Sequence, residues 1–314
     1  MGSLERQNSP FVKFAARFCA CLQALLLTAC AVTGGQQPSV REAGHGAIPA
    51  AGLLVDLDAD RDVTLETRPD LAGEGHRMGE VSAWGNQVKG GKIVDFRNFR
   101  PGGRPALRGP VAELNGHHAI VFDEDELVNS AEDALDHLTT GSGFTWAAVI
   151  AGHRQPPTRA PYKNVNAFFG NLKNGPEFEG VWAGFDDDNM VSMNPRNSRS
   201  FGTWNRDNPK LTGPKLEEGR FHVVAGRLGA GRGAVIAELF VDQSTALDRD
   251  TFVVVPEANP SKLAIGQERE ALDHPGKEAF NGEIARLLIW ERPLSDAELA
   301  SVMAHLKSTY GLGG

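Results

Sequence analysis

From residue 53 onward, short apolar runs alternate with clusters of Gly, Pro, Asn and Asp. The runs are LLVDL (53–57), HAIVFD (118–123), FTWAAVIAG (144–152), VNAFFG (165–170) and VWAGF (181–185), then MVSM (190–193), FHVVAGRL (221–228), VIAELFVD (235–242), TFVVV (251–255) and KLAIG (262–266). Runs this short, bounded by turn residues, predict strands rather than helices. Residues 126–139 could form a short helix. The end of the chain is patterned differently. Ile284, Leu287, Leu288, Ile289 and Trp290 predict a closing strand, and Arg292-Pro293 ends it because proline cannot donate to a ladder. Ser295 then precedes Glu298 by three positions, the spacing of a capping box. Leu299, Val302, Met303, Leu306 and Tyr310 follow at helical spacing up to Gly311. One terminal helix in a strand-rich chain is expected to plug an edge or end of a sheet. Many strands and almost no helical pattern predict an all-β sandwich or jelly roll. Residues 50–314 contain no repeat or linker and are read as one domain.

The closing strand-turn-helix resembles the C-terminal signature of LamG-like members of the concanavalin A-like lectin/glucanase superfamily. Phe280, Gly282, Ile284, Leu287, Ile289, Trp290, Arg292, Leu294, Ser295 and Glu298 carry the likeness. LLVDLDAD (53–60) before VSAWGNQ (81–87), and NGHHAIVFDEDELV (115–128) before GFTWAAVI (143–150), extend it over roughly residues 50–314. The resemblance implies a LamG-like β-sandwich with a short C-terminal helix. It specifies an activity far less sharply.

The first 29 residues have another pattern. Arg6, Lys13 and Arg17 precede an uncharged, mostly apolar run from Phe18 to Ala29, too short to span a bilayer and suited to a signal peptide. It ends in Leu27-Thr28-Ala29-Cys30, which resembles a bacterial lipobox. That resemblance implies cleavage before Cys30 and lipidation of its thiol, with Ala31 matching the outer-membrane sorting rule of a Gram-negative host. Ordinary signal cleavage with Cys30 incidental is the other reading. Residues 30–49 then form a flexible tether. Cys19 and Cys21 would leave with the leader, so the remainder would hold no internal disulfide.

Composition narrows the function. The chain has 314 residues and a net charge of −8. The leader carries +2, leaving −10 on the rest, a poor match to nucleic acid. The nine histidines are scattered without i, i+4 register, so a transition-metal site is not indicated. Glycosidases on this fold need two nearby carboxyls. The nearest spacing, Glu238 and Asp242, has Phe240 between them and reads as an edge glutamate and a turn aspartate. No G-x-S-x-G, P-loop or H-E-x-x-H motif is present.

Candidate binding residues lie in 164–208. Strand alternation puts Asn164, Asn166 and Phe168 on one face, and Trp182 joins them if the two strands pair as a hairpin. Flat rings beside amides suit sugars. Trp182 packed beneath a loop is the plainer alternative. The loop 194–209 adds Arg196, Trp204 and Asn205 at the rim, or is a solvated connector. Asp186 and Asp188, joined by Asp207, are the candidate calcium ligands. The resemblance makes that turn the first place to look, although Asp and Asn also simply favour turns. The expected function is non-catalytic recognition of a polysaccharide or other glycan at the cell surface, with the membrane met only through the lipid anchor and no nucleic-acid partner. A glycan-cleaving enzyme of the same superfamily and a structural envelope protein that binds protein partners are the alternatives.

Overall fold

The computed structural model describes residues 48–66, 77–100, 102–155, 164–173, 178–199, 207–269 and 278–313. Residues 43–314 form one compact unit. Its strands are β1 (Leu53–Asp58), β2 (Val63–Glu66), β3 (Arg77–Gly85), β4 (Asp95–Arg97), β5 (Ala106–Arg108), β6 (Ala119–Asp123), β7 (Leu127–Val128), β8 (Phe144–Gly152) and β9 (Asn166–Gly170). They continue as β10 (Glu179–Phe185), β11 (Met190–Asn197), β12 (Leu211–Lys215), β13 (Phe221–Leu228), β14 (Gly233–Val241), β15 (Asp248–Val254), β16 (Ala264–Ile265) and β17 (Asn281–Trp290). Among the described residues one α-helix, α1 (Asp296–Thr309), closes the order. The stretch 126–139 forms β7 and turns instead of the expected α-helix, leading into a π-type turn at Leu138–Ser142.

The ladders make two runs of antiparallel strands. The first is β15–β14–β13–β8–β17, with β6 and β1 sharing the far edge of the long β17. The second is β12–β11–β10–β9–β16–β7–β4–β3. β5 bridges β3 to β6 and so joins the two layers. The main core lies between them. Trp146 of β8 meets Phe168 and Phe169 of β9 at 5.5 and 5.3 Å, and Phe185 stacks on Phe280 at 5.7 Å.

β8 is apolar along its whole length because both of its faces are buried. Phe144, Trp146, Ala148 and Ile150 face the core, while Ala147, Val149 and Ala151 face outward against α1. Leu299, Val302, Met303 and Leu306 of α1 cover this outer face together with Phe221, Val223, Leu288 and Trp290. The helix therefore seals the middle of the first layer, correcting the expected place at an edge or end. Small Ala residues on β8 and β13 leave room for it.

Local chemistry holds α1 in place. Ser295 accepts from the Glu298 amide, and the Glu298 carboxylate reaches back to the Ser295 amide, so the capping box is complete. Arg292 grips the same carboxylate at 3.0 and 2.7 Å. Arg227, reaching from β13, pairs with Asp296 at 2.8 Å near the helix start, where a negative charge suits the dipole.

Candidate functional site

The outer face of the second layer differs from an ordinary covered sheet. On β10 and β11 the pairs Val181–Pro195 and Ala183–Met193 alternate with Gly180–Arg196, Trp182–Asn194 and Gly184–Ser192. Val181, Ala183 and Met193 belong to the core, so the second set points away from it. Apart from Trp182, that set is small or polar: Gly180 and Gly184 on β10, and Ser192, Asn194 and Arg196 on β11. Gly170 of β9 is also required there, because a Cβ would meet the Glu268 carbonyl oxygen at 2.1 Å. This close approach lets Leu172 N–H donate to that oxygen at 3.1 Å and seats Gln267–Arg269 against β9.

A buried charge cluster results. Arg196, Glu268, Arg269 and Glu278 are 4, 3, 8 and 6 % exposed. Arg269 lies 2.7 Å from Glu268 and 3.5 Å from Glu278. Burial pushes the Arg196 guanidinium down to about 10, partly offset by the charge of Glu268, so it stays cationic at neutral pH. Among the described residues the cluster holds two cations and two anions, the pairing that buried ions require. Both carboxylates lie within ion-pair distance of Arg269.

The residues expected from the sequence distribute unevenly over this region. Arg196 lies on the same face as Trp182. The Trp182 ring is 2 % exposed and packs with Val165, Ala167, Leu172 and Phe178, so the expected open aromatic platform is corrected to a small satellite core. Asn166 and Phe168 are not on the Trp182 face either. β10 pairs Ala183 with Phe169 but Gly184 with Ala167, leaving Phe168 as an extra, bulged residue. The bulge turns Phe168 and Phe169 both into the core and moves Ala167 beneath Trp182. Asn166 is wholly buried, and its amide donates to the Phe185 carbonyl and to Asp187 Oδ1, both at 3.3 Å. Asn164 Oδ1 accepts from the Asp187 amide at 3.4 Å, so both asparagines secure the Asp186–Asn189 turn. Trp204, Asn205 and Cys30 lie outside the described residues.

The calcium grouping is corrected by distance. Asp186 Oδ1 already accepts from the amides of Asp188 and Met190, both at 2.9 Å, which is ordinary Asx-turn chemistry. Asp207 belongs to the other end of β11, where its carbonyl accepts from Val253 N–H at 3.3 Å and Asn197 Nδ2 at 3.4 Å. Met190 and Asn197 bound β11, and seven residue rises of about 3.3 Å separate them by roughly 23 Å. One ion cannot join Asp186 and Asp188 to Asp207. Among the described residues, no group of three or more His, Cys, Asp or Glu is arranged to hold a metal.

Other acids and histidines are engaged elsewhere. Glu238 is held by Arg227 at 2.6 Å and by Arg249, within the body of the first layer rather than at its edge. Asp242 sits in a left-handed turn and accepts from Val223 N–H at 2.9 Å and meets His222 at 2.6 Å. Phe240 between them packs under α1. Sequence reasoning missed Glu268, Arg269 and Glu278. The signal available was the polar Gln-Glu-Arg-Glu run directly after KLAIG, and it gave no partner.

A family model described as the concanavalin A-like lectin/glucanases superfamily matches residues 129–300. No curated protein matches the sequence. Among solved structures, Trypanosoma rangeli sialidase in complex with sialic acid is similar at a TM-score of 0.48 and 14% identity, over 84% of this chain and 34% of its own. The CBM40 of Ruminococcus gnavus IT-sialidase, bound to α2,3-sialyllactose, gives 0.39 and 16% over 53% and 85%. A heptameric SAP-like pentraxin from Limulus polyphemus gives 0.36 and 15% over 52% and 70%. The chain thus spans about a third of the length of the sialidase it matches.

Proposed function

Because the chain belongs to the concanavalin A-like lectin/glucanases superfamily, we propose that it is a non-catalytic recognition domain for polysaccharide, exported and lipid-anchored at the cell surface. The superfamily name joins binders and enzymes, so the choice between them rests on the site. The observation that carries it is the Arg196–Glu268–Arg269–Glu278 cluster with Asn194 on the outer face of the second layer. These side chains are at most 8 % exposed, so their part in recognition is to set the charge and shape of this face from beneath, with a sugar resting on the groups that cover them. Anchoring is supported by the basic leader, the short apolar run and Leu27-Thr28-Ala29-Cys30.

The test is a glycan array probed with the full chain in detergent, followed by product analysis of every glycan that binds. Retention of glycans without shortened products supports recognition. New reducing ends would make the chain an enzyme. A blank array would favour the structural envelope reading, with a protein partner.

A further inference from the structure

A cavity of about 430 Å³ opens between the start of β1, the loop from Val88 to Ile93, and the turn around His137. It shares no lining residue with the Arg196 cluster and falls within the roughly 300–1,000 Å³ of small-ligand pockets. Leu53, Leu54, Ile93 and Ala134 give it apolar walls. Its other side is the loop Lys89-Gly90-Gly91-Lys92, which also borders a smaller cavity of about 240 Å³.

That loop is fixed at its base and open at its tip. Asn86 is buried, and its amide ties together β1 and Ile93 by donating to the Leu54 and Ile93 carbonyls at 2.8 and 2.9 Å and accepting from Asp56 N–H at 2.9 Å. At the tip, a Cβ on Gly90 would meet nothing within 4 Å, and Gly90 adopts φ 82°. The amides of Gly90, Gly91 and Lys92 donate no hydrogen bond among the described residues. Lys89 is committed, to the Asn86 carbonyl at 3.1 Å and to Asp62 at 3.5 Å. Lys92 is exposed and has no ion-pair partner among the described residues. Across the cavity, Glu291 meets His137 at 3.2 Å, and Asp133 is left as a hydroxyl acceptor.

We propose that this cavity is a second binding site, for a small hydroxylated carboxylic acid of the uronic-acid class. Lys92 and the free amides of the glycine tip take the carboxylate, as successive backbone N–H groups do in anion-binding concavities. The apolar walls take the C–H face of the ring, and Asp133 takes hydroxyls. The choice of a sugar acid over other small acids rests on the glycan reading above.

The test is calorimetric titration of the full chain in detergent with glucuronate, glucose and acetate, using wild type, Lys92→Gln and Arg232→Gln, an exposed cation on the turn before β14 that lines neither site. Lys92 and Arg232 are exposed, so both variants are expected to melt as wild type does. The expected result is glucuronate binding that weakens at least tenfold in Lys92→Gln and is unchanged in Arg232→Gln. Glucose is expected to bind at least tenfold more weakly than glucuronate, and acetate not to compete. Absence of glucuronate binding, indifference to Lys92→Gln, or equal loss in Arg232→Gln would overturn the assignment. Equal binding of glucose removes the role of the carboxylate, and full competition by acetate reduces the cavity to an anion site, so each also overturns it. Glucuronate binding through Lys92 alongside a blank glycan array would support this site while refuting the polysaccharide reading.

Discussion

Leu306→Ala tests the packing of α1 on the first layer. Leu306 is 1 % exposed and sits with Leu299, Val302, Met303 and Tyr310 over β8, β13 and β17. Truncation removes three buried carbons, which is worth about 2.4 kcal/mol at about 0.8 kcal/mol each. The sheet beneath is rigid and cannot collapse fully into the gap, so a residual void adds about 1 kcal/mol at about 24 cal/mol per Å³. The total, about 3–4 kcal/mol, lies within the measured span for buried leucines. For a domain of this size each kcal/mol lowers the melting temperature by about 2–4 °C, so a drop of about 6–16 °C is expected. Scanning calorimetry or thermal circular dichroism reads it directly. Leu306→Met, which keeps the volume, is expected to cost less than about 1.5 kcal/mol. If Leu306→Ala melts with wild type, α1 is not docked on the face described and the helix contributes little to the fold.

Acid sensitivity should trace partly to the helix cap. Arg292, with help from the Ser295 amide and hydroxyl, holds Glu298 down to about 2. A folded pKa below the unfolded value of about 4.3 means the stability is present above about pH 4.3 and lost as pH falls through about 2. Glu298→Gln is therefore expected to lose less stability than wild type between neutral and acid pH in urea melts, and an identical pH dependence would refute the assigned role. Cys30→Ser is expected to release the protein from membranes or block its processing, and fractionation identical to wild type would sink the lipid anchor. Calcium and chelator are expected to leave the melting temperature unchanged, because Asp207 cannot join Asp186 and Asp188. A site filled at about 100 times its dissociation constant would add about 2.7 kcal/mol and show plainly.

Most of the strand order was legible because a sandwich strand writes its burial into a few consecutive residues. β8 and β13 match their apolar runs from end to end, and α1 matches its capping box and apolar stripe. β12 was missed because Leu-Thr-Gly-Pro-Lys reads as a turn. Gly213 is there for space, since a Cβ would meet Val191 Cγ1 at 2.6 Å. The placement of α1 was misjudged because its apolar stripe tells which face of the helix is buried but not which part of a sheet it covers; β8, apolar on both faces, supplies that surface. The candidate site was harder still. One bulged residue, Phe168, exchanged the faces on which Asn166 and Trp182 had been paired, and nothing local announces a bulge in Asn-Ala-Phe-Phe-Gly. Arg196 could be picked out by its neighbours in sequence. Glu268 and Glu278 could not, because a long-range approach to Gly170 and β9 brings them to that face.

The account stands most directly on one binding measurement. A glycan selected from the array is titrated into wild type, Arg196→Lys and Arg196→Gln, with melting curves taken on the same samples. Lysine keeps the charge but loses the planar, multi-donor geometry of the guanidinium, so it separates recognition from simple charge balance. If Arg196 forms part of the glycan site, affinity falls in both variants, by tenfold or more in Arg196→Gln, while each remains folded at the assay temperature. Unchanged affinity in folded Arg196→Gln would contradict the claim and leave the cluster as a purely structural salt network.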